Sequence, residues 1–128
     1  MQEPNACMPG RRASVALTVG EADTASALGS GDLPVLGTPR VVALCEQAAV
    51  AALGDCLAEG QTSVGSWLEI DHLAPTPLGG EVAAEAVLLG VHGRRLEFSI
   101  TVTDASEDEV ARCRHRRVIV DRESFGQG

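Results

Sequence analysis

The chain has 128 residues, a formal net charge of −8 and ten basic residues, every one an arginine. That length suits a single domain with one core. The acidity argues against general binding to nucleic acid or anionic membranes, although local arginine patches remain available. No apolar run approaches the ~20 residues of a membrane span, and the opening MQEPNACMPGRR has no stretch of signal-peptide type. A cytoplasmic protein is expected.

In chain order, residues 1–12 read as a disordered or loosely attached tail, 13–121 as the folded domain and 122–128 as a second tail. Ala13 to Val19 is short, partly alternating and β-branched, which predicts a strand. Residues 20–37 are rich in Gly, Ser, Asp and Ala. A connection of that length is either a functional lid or a flexible linker.

The segment from Thr38 to Leu57, TPRVVALCEQAAVAALGDCL, is expected to form a long helix running to about Ala58, stopped by Glu59-Gly60. Thr38 can cap it with its hydroxyl, and Pro39 suits the first helical position. The helix is apolar or small almost all the way round, so something must wrap it. Glu46 and Gln47 interrupt that pattern. A carboxylate at Glu46 sits either at a mouth open to water or in a desolvated site.

Beyond the helix the period changes to two. Gln61 to Leu73 puts Val64, Leu68, Ile70 and His72 on one face and Ser63, Gly65, Trp67, Glu69 and Asp71 on the other. Pro75 and Pro77 end this strand. Glu81 to Val91 is a well-covered strand, and His92-Gly93 a hairpin turn. Arg94 to Thr103 turns Leu96, Phe98, Ile100 and Val102 inward. Glu109 to Val120 is the last strand. Consecutive strands on short turns are expected to be antiparallel neighbours. One helix against such a sheet is a two-layer α+β domain. One sheet cannot cover a helix that is apolar all round, so its remaining face calls for the lid, a second subunit or both.

The four cysteines read as free thiols in a reducing compartment. Cys45 and Cys56 lie about 16 Å apart along one helix, too far for an internal disulfide. Cys7 falls in the tail and Cys113 in a strand. No CxxC is present and the histidines are scattered, so no metal site is expected.

Thr38, Glu46, His72 and Gly65 are the positions where chemistry could sit. By residue type alone, Thr38 is an ordinary N-cap and His72 a core or edge histidine satisfied by the backbone. Glu46 is harder to explain as structure, because a mid-helix carboxylate among apolar neighbours is costly unless solvated or used. Thr38 and Glu46 are separated by about 12 Å of helical rise. They cannot touch, but a substrate could lie along the helix between them.

The segments TPRVVALCEQAAVAAL, VGSWLEIDHLAPTPLGGEV and GRRLEFSITVTD, in that order, resemble the fluoroacetyl-CoA thioesterase type of hotdog-fold protein, from about Ala13 to Asp121. The resemblance implies a long helix wrapped by a curved antiparallel sheet of about five strands. It implies Thr38, Glu46 and His72 as catalytic residues, with Gly65 placing substrate or water near the acyl carbonyl. By strand parity Gly65 and His72 lie on opposite faces, so a bulge is needed if both line the site. The resemblance also implies a homodimer, possibly a tetramer, with sites at the interface. His72 could then come from either subunit.

In that reading the substrate is an acyl thioester of coenzyme A or of a carrier protein, and no separate cofactor is needed. Glu46 acts as general base on water or as nucleophile, His72 as acid or orienting group, and Thr38 positions the acyl group. Arg112, Arg114 and Arg116 share one face of the last strand, with Arg40, Arg94 and Arg95 near turns. They read mostly as a solvated face; Arg116 is the best candidate for a substrate contact. The loop over 20–37 contains no aromatic residue, and Leu28, Leu33, Val35 and Leu36 are its only large apolar ones. The resemblance implies lid aromatics in a fluoroacetyl specialist, so their absence favours a different short or medium acyl group, with Leu36 among the lining residues. The alternatives are a hotdog hydratase, or a non-catalytic dimer that binds an acyl thioester or a small hydrophobic ligand.

Overall fold

The computed structural model describes residues 6–126. Strand β1 (Arg12–Thr18) leads through a 3-10 turn (Glu21–Asp23) and a one-turn helix α1 (Ala25–Leu28) to the long helix α2 (Thr38–Leu53). Strands β2 (Gln61–His72), β3 (Glu81–His92), β4 (Arg95–Asp104) and β5 (Glu109–Asp121) follow. All strand pairs are antiparallel, in one five-stranded sheet of order β1-β3-β4-β5-β2.

The core lies between α2 and the concave face of that sheet. Val41, Leu44, Cys45, Ala48, Ala49, Ala52 and Leu53 are the buried side of the helix. They face Ala84, Ala86 and Leu88 of β3 and Leu96, Phe98, Ile100 and Val102 of β4, all of them buried. The period-two reading of β4 therefore holds. The other side of α2 is open: Gln47 and Ala51 are exposed, and Val50 keeps 49% of its surface.

The structure corrects several expectations. Gly37, in extended conformation, is the N-cap, so Thr38 is already helical and its hydroxyl caps nothing. A Cβ at Gly37 would lie 3.0 Å from Leu28 and 3.1 Å from the Ala25 backbone, so the close approach of α1 selects glycine as the cap. The helix ends at Leu53 rather than near Ala58. Gly54 takes φ 53° and ψ −118°, a positive-φ conformation that only glycine adopts cheaply, and its N–H donates to the Ala51 carbonyl.

β2 and β3 are consecutive but not neighbours. β2 pairs with β5 at one edge, whereas β3 lies between β1 and β4. The link carrying Pro75 and Pro77 crosses to the far side past the start of α2, where Leu36 N–H donates to the Thr76 carbonyl.

The expected loose tail is anchored from Cys7 onward, and residues 1–5 of it lie outside the described residues. Cys7 is buried and forms a disulfide with Cys56, which corrects the reading of four free thiols. Cys56 follows the end of α2, and the chain entering β1 runs beside that end. Arg11 donates from Nε to the Ala52 carbonyl at 3.0 Å and pairs with Asp55 at 3.6 Å, where a cation complements the helix terminus. Cys45 and Cys113 are free and buried, as expected. Of the expected C-terminal tail, 122–126 form turns and 127–128 lie outside the described residues.

The connection over 20–37 is ordered by backbone pairing. Ala25 N–H donates to Val35, Gly37 N–H to Asp23, and Val35 bridges Pro77. Arg40 pairs with Asp23 at 2.9 Å. This segment is a built wall over the start of α2.

Candidate active site

With its capping duty taken by Gly37, the Thr38 hydroxyl turns to the end of β2. Thr38 Oγ1 and His72 Nδ1 share a hydrogen bond of 2.7 Å, with the donor set by the imidazole tautomer. Burial pushes the His72 pKa below its ordinary value, and the Ala74 backbone pulls it partly back. Nε2 of His72 is buried without a well-formed hydrogen bond. The pair lies on a cavity of about 280 Å³ lined by Ala25, Ser30, Val35, Leu36, Leu73 and Pro75 among others. Leu36, 1% exposed, is one of the lining residues.

Two turns along α2, Glu46 has a different neighbourhood. Its side chain is 40% exposed, and Oε2 lies 3.5 Å from Nη1 of Arg117 and 4.0 Å from Nε2 of His115. A Cβ on Gly65 would stand 2.7 Å from the same oxygen and 3.2 Å from His115. Glycine at this position makes room for the carboxylate. The β2–β5 register shifts between Gly65 and Trp67. The Gly65–Arg117 pairing and the Leu68–His115, Ile70–Cys113 and His72–Ala111 pairings therefore fall on one inward face. The bulge required for Gly65 and His72 to share a face is present.

Within one chain the structure brings Thr38 to His72, and Glu46 to Gly65. It does not bring the two pairs together: the helical rise between Thr38 and Glu46 keeps them about 12 Å apart. Arg116 is turned to the opposite face of the sheet, its guanidinium 4.4 Å from the Trp67 ring centroid and paired with Glu97 at 3.3 Å. Arg117 occupies the position by Glu46 instead. Strand parity is the reason. Even-numbered arginines of β5 face outward, while Ala111, Cys113, His115, Arg117 and Ile119 are buried.

His115 and Arg117 are the residues that the sequence reading missed. The signal was available: two basic groups on an apolar strand face are the same anomaly that marks Glu46. Arg117 donates from Nε to Ser63 Oγ at 2.8 Å and from Nη2 to the Ser63 carbonyl at 3.1 Å. Burial lowers its pKa, opposed by Glu46. The cysteines near this end remain structural. The Cys45 thiol is pushed far up, first by its hydrogen bond with Cys113 and then by burial. Among the described residues no group of three or more side chains is arranged to hold a metal, and no helix is long and apolar enough to cross a membrane. A larger cavity, about 590 Å³, opens between Arg94, Asp121 and Phe125 and contains none of these groups.

Comparison with known proteins places this geometry in context. The model of the fluoroacetyl-CoA-specific thioesterase family matches residues 19–123. A fluoroacetyl-CoA thioesterase from Streptantibioticus cattleyicolor is 35% identical over 91 residues, 71% of this chain. The match spans 65% of that relative, just under two thirds of its length. The structure of a fluoroacetyl-CoA thioesterase variant in complex with acetyl-CoA superposes with a TM-score of 0.87 at 29% identity, covering 93% of both chains. A Thermus thermophilus protein described as a thioesterase superfamily member shares the fold, with a TM-score of 0.86 at 24% identity over 96% of this chain and 89% of that one. The α+β hotdog architecture expected from the sequence is the fold observed.

Proposed function

The chain belongs to the fluoroacetyl-CoA-specific thioesterase family, and from that premise we propose that it hydrolyses a short- or medium-chain acyl-CoA to the free acid and coenzyme A. The observation that carries this reading is the Thr38–His72 hydrogen bond of 2.7 Å on the wall of a small, largely aliphatic cavity. The same helix carries the solvent-accessible carboxylate of Glu46.

Hydrolysis of a thioester needs a nucleophile, a site for the developing oxyanion and a proton for the departing sulfur. Glu46, reachable by water and held through one oxygen, acts as general base on the attacking water; direct attack to form an anhydride is the other possibility for this residue. When Thr38 donates to Nδ1 of His72, the imidazole proton resides on Nε2. That nitrogen is buried on the side of the Ala74 backbone, so the ring orients the Thr38 hydroxyl instead of reaching the leaving sulfur itself. A pKa lowered by burial keeps His72 neutral at neutral pH, which favours an orienting, hydrogen-bonding role over that of a fully charged acid. Thr38 and the first turn of α2 position the acyl group.

The separation of Thr38–His72 from Glu46 supports a homodimer in which substrate lies along α2 in a cleft between copies. The open side of α2 is consistent with that assembly. A cytoplasmic location suits a coenzyme A thioester, whereas the Cys7–Cys56 disulfide is of a kind that is rare in reducing compartments. The cavity wall has no phenylalanine, tyrosine or tryptophan, which supports an unfluorinated acyl group over fluoroacetyl.

Thiol release from acetyl-, butyryl-, hexanoyl-, octanoyl- and fluoroacetyl-CoA tests the proposal. Cleavage is expected to be fastest for one of the unfluorinated chains. Binding without release for every member would contradict hydrolysis and favour a non-catalytic acyl-thioester binder.

A further inference from the structure

β5 sends two basic side chains into the core, and their contacts define a proton arrangement. His115 is 2% exposed and Arg117 7%. Nδ1 of His115 lies 2.9 Å from the Trp67 carbonyl, which can only accept, so Nδ1 carries a proton. Nε2 lies 3.1 Å from Nη1 of Arg117, which can only donate, so Nε2 offers its lone pair. Both conditions are met only by the neutral Nδ1–H tautomer. Burial, with the Arg117 cation, pushes the His115 pKa down; the Trp67 hydrogen bond and Glu46 act in the opposite direction.

Arg117 is thereby gripped on both sides. Ser63 takes Nε and Nη2, His115 takes Nη1, and the same Nη1 stands 3.5 Å from Oε2 of Glu46. The Trp67 carbonyl that sets the tautomer follows directly on the register shift that turns Gly65 inward. One irregularity in β2 thus serves both the room for the carboxylate and the acceptor for His115.

We propose that His115 is a positioning residue for Glu46: by accepting from Arg117 it completes a buried bracket that fixes the guanidinium, and through it the carboxylate, opposite Gly65. The inference deepens the thioesterase reading and rests on it for the identity of Glu46 as the reacting group. The groups facing His115 are Glu46 from α2, Arg117 on its own strand and the Trp67 carbonyl from β2. From β4 comes the Phe98 ring, with centroids 6.2 Å apart.

The test combines kinetics with nitrogen-15 spectra of the imidazole. His115→Gln keeps an oxygen able to accept from Arg117, whereas His115→Leu does not. The leucine variant is expected to lose about a hundredfold in kcat with little change in KM, the size expected of a misplaced reacting group. The glutamine variant is expected to recover about tenfold of that loss, which a purely structural role would not predict. In the spectrum, His115 at pH 7 is expected to be neutral with the proton on Nδ1, and Arg117→Gln to move its titration to higher pH.

A folded His115→Leu protein with wild-type kcat would overturn the proposal. So would a charged His115, or a proton on Nε2, at pH 7. If the leucine variant does not fold, the glutamine variant and the spectrum carry the test. If the wild type cleaves no acyl-CoA, the thioesterase reading falls by that result alone. The bracket is then judged by the spectrum, which needs no substrate.

Discussion

Thr38 Oγ1 and His72 Nδ1 lie 2.7 Å apart, and this contact exists because Gly37 rather than Thr38 caps the helix. A threonine at the first position of a helix would ordinarily spend its hydroxyl on local backbone. Here it is released to a histidine that arrives at the end of β2. The Thr38–His72 pair at one end of α2 and the Glu46–Arg117 pair further along it are the two halves of the proposed site.

The first half is tested by Thr38→Val, which keeps the branched shape and removes the hydroxyl. The kcat is expected to fall by about a hundredfold, the size associated with losing one positioned donor. The melting temperature should move little, since one part-exposed hydrogen bond contributes about 1 kcal/mol. Thr38→Ser should keep most of the rate.

The second half is tested by Gly65→Ala. The added Cβ would stand 2.7 Å from Glu46 Oε2, the far end of a flexible side chain. The carboxylate can move aside, while the buried His115 ring, 3.2 Å from the same Cβ, must give by a few tenths of an ångström, so a modest loss of stability should accompany a larger loss in kcat. A displacement of about 1 Å in a reacting group is worth up to about a hundredfold. Steady-state kinetics alongside thermal melts would separate the two effects.

Stability should fall as pH is lowered from about 7.5 to about 5.5. His72 and His115 both have folded-state pKa values pushed below the ordinary 6.5, principally by burial. From about pH 7.5 upward both are almost wholly neutral in the folded and unfolded chains, and they contribute no pH dependence. Below it the unfolded chain takes up protons that the folded protein refuses, which favours unfolding until the folded pKa is reached. Thermal melts across this window should show the decline, and His115→Gln should make it shallower. A melting temperature rising toward pH 5.5 would contradict the assignment.

The Cys7–Cys56 disulfide closes a loop with a sequence separation of 49 and ties the entry of β1 to the end of α2. Reduction, or Cys7→Ser, is expected to lower stability by about 2–4 kcal/mol through the unfolded chain's regained freedom. Denaturant melts with and without dithiothreitol measure it. Activity measured well below the melting point should persist, because the bridge lies at the opposite end of α2 from Thr38.

Much of this architecture was legible from periodicity. The inward residues of β4 and the long helix follow from residue spacing, because burial imposes periods of two and 3.6 directly; the irregularity near Gly65 is called for only because the family resemblance puts Gly65 and His72 in one site. What periodicity does not encode is proximity between distant segments. Gly37 is the cap because Leu28 and Ala25 crowd it, and Cys7 meets Cys56 because the entry to β1 passes the end of α2. The crossing from β2 to β3 likewise depends on which edge each strand joins. Arg116 and Arg117 differ by one position and hence by a whole sheet face. Reading the even positions as the arginine face left the odd ones, His115 and Arg117, as the buried pair that reaches Glu46.

The most direct measurement is the rate of thiol release by Glu46→Gln beside the wild type, on whichever acyl-CoA the wild type cleaves fastest. Circular dichroism and sedimentation would confirm that the variant is folded and assembled as the wild type is. The account predicts a loss in kcat of at least about a thousandfold, within the range for removing a general base, with the substrate still bound. A folded variant that retains the wild-type rate would contradict the central role given to Glu46.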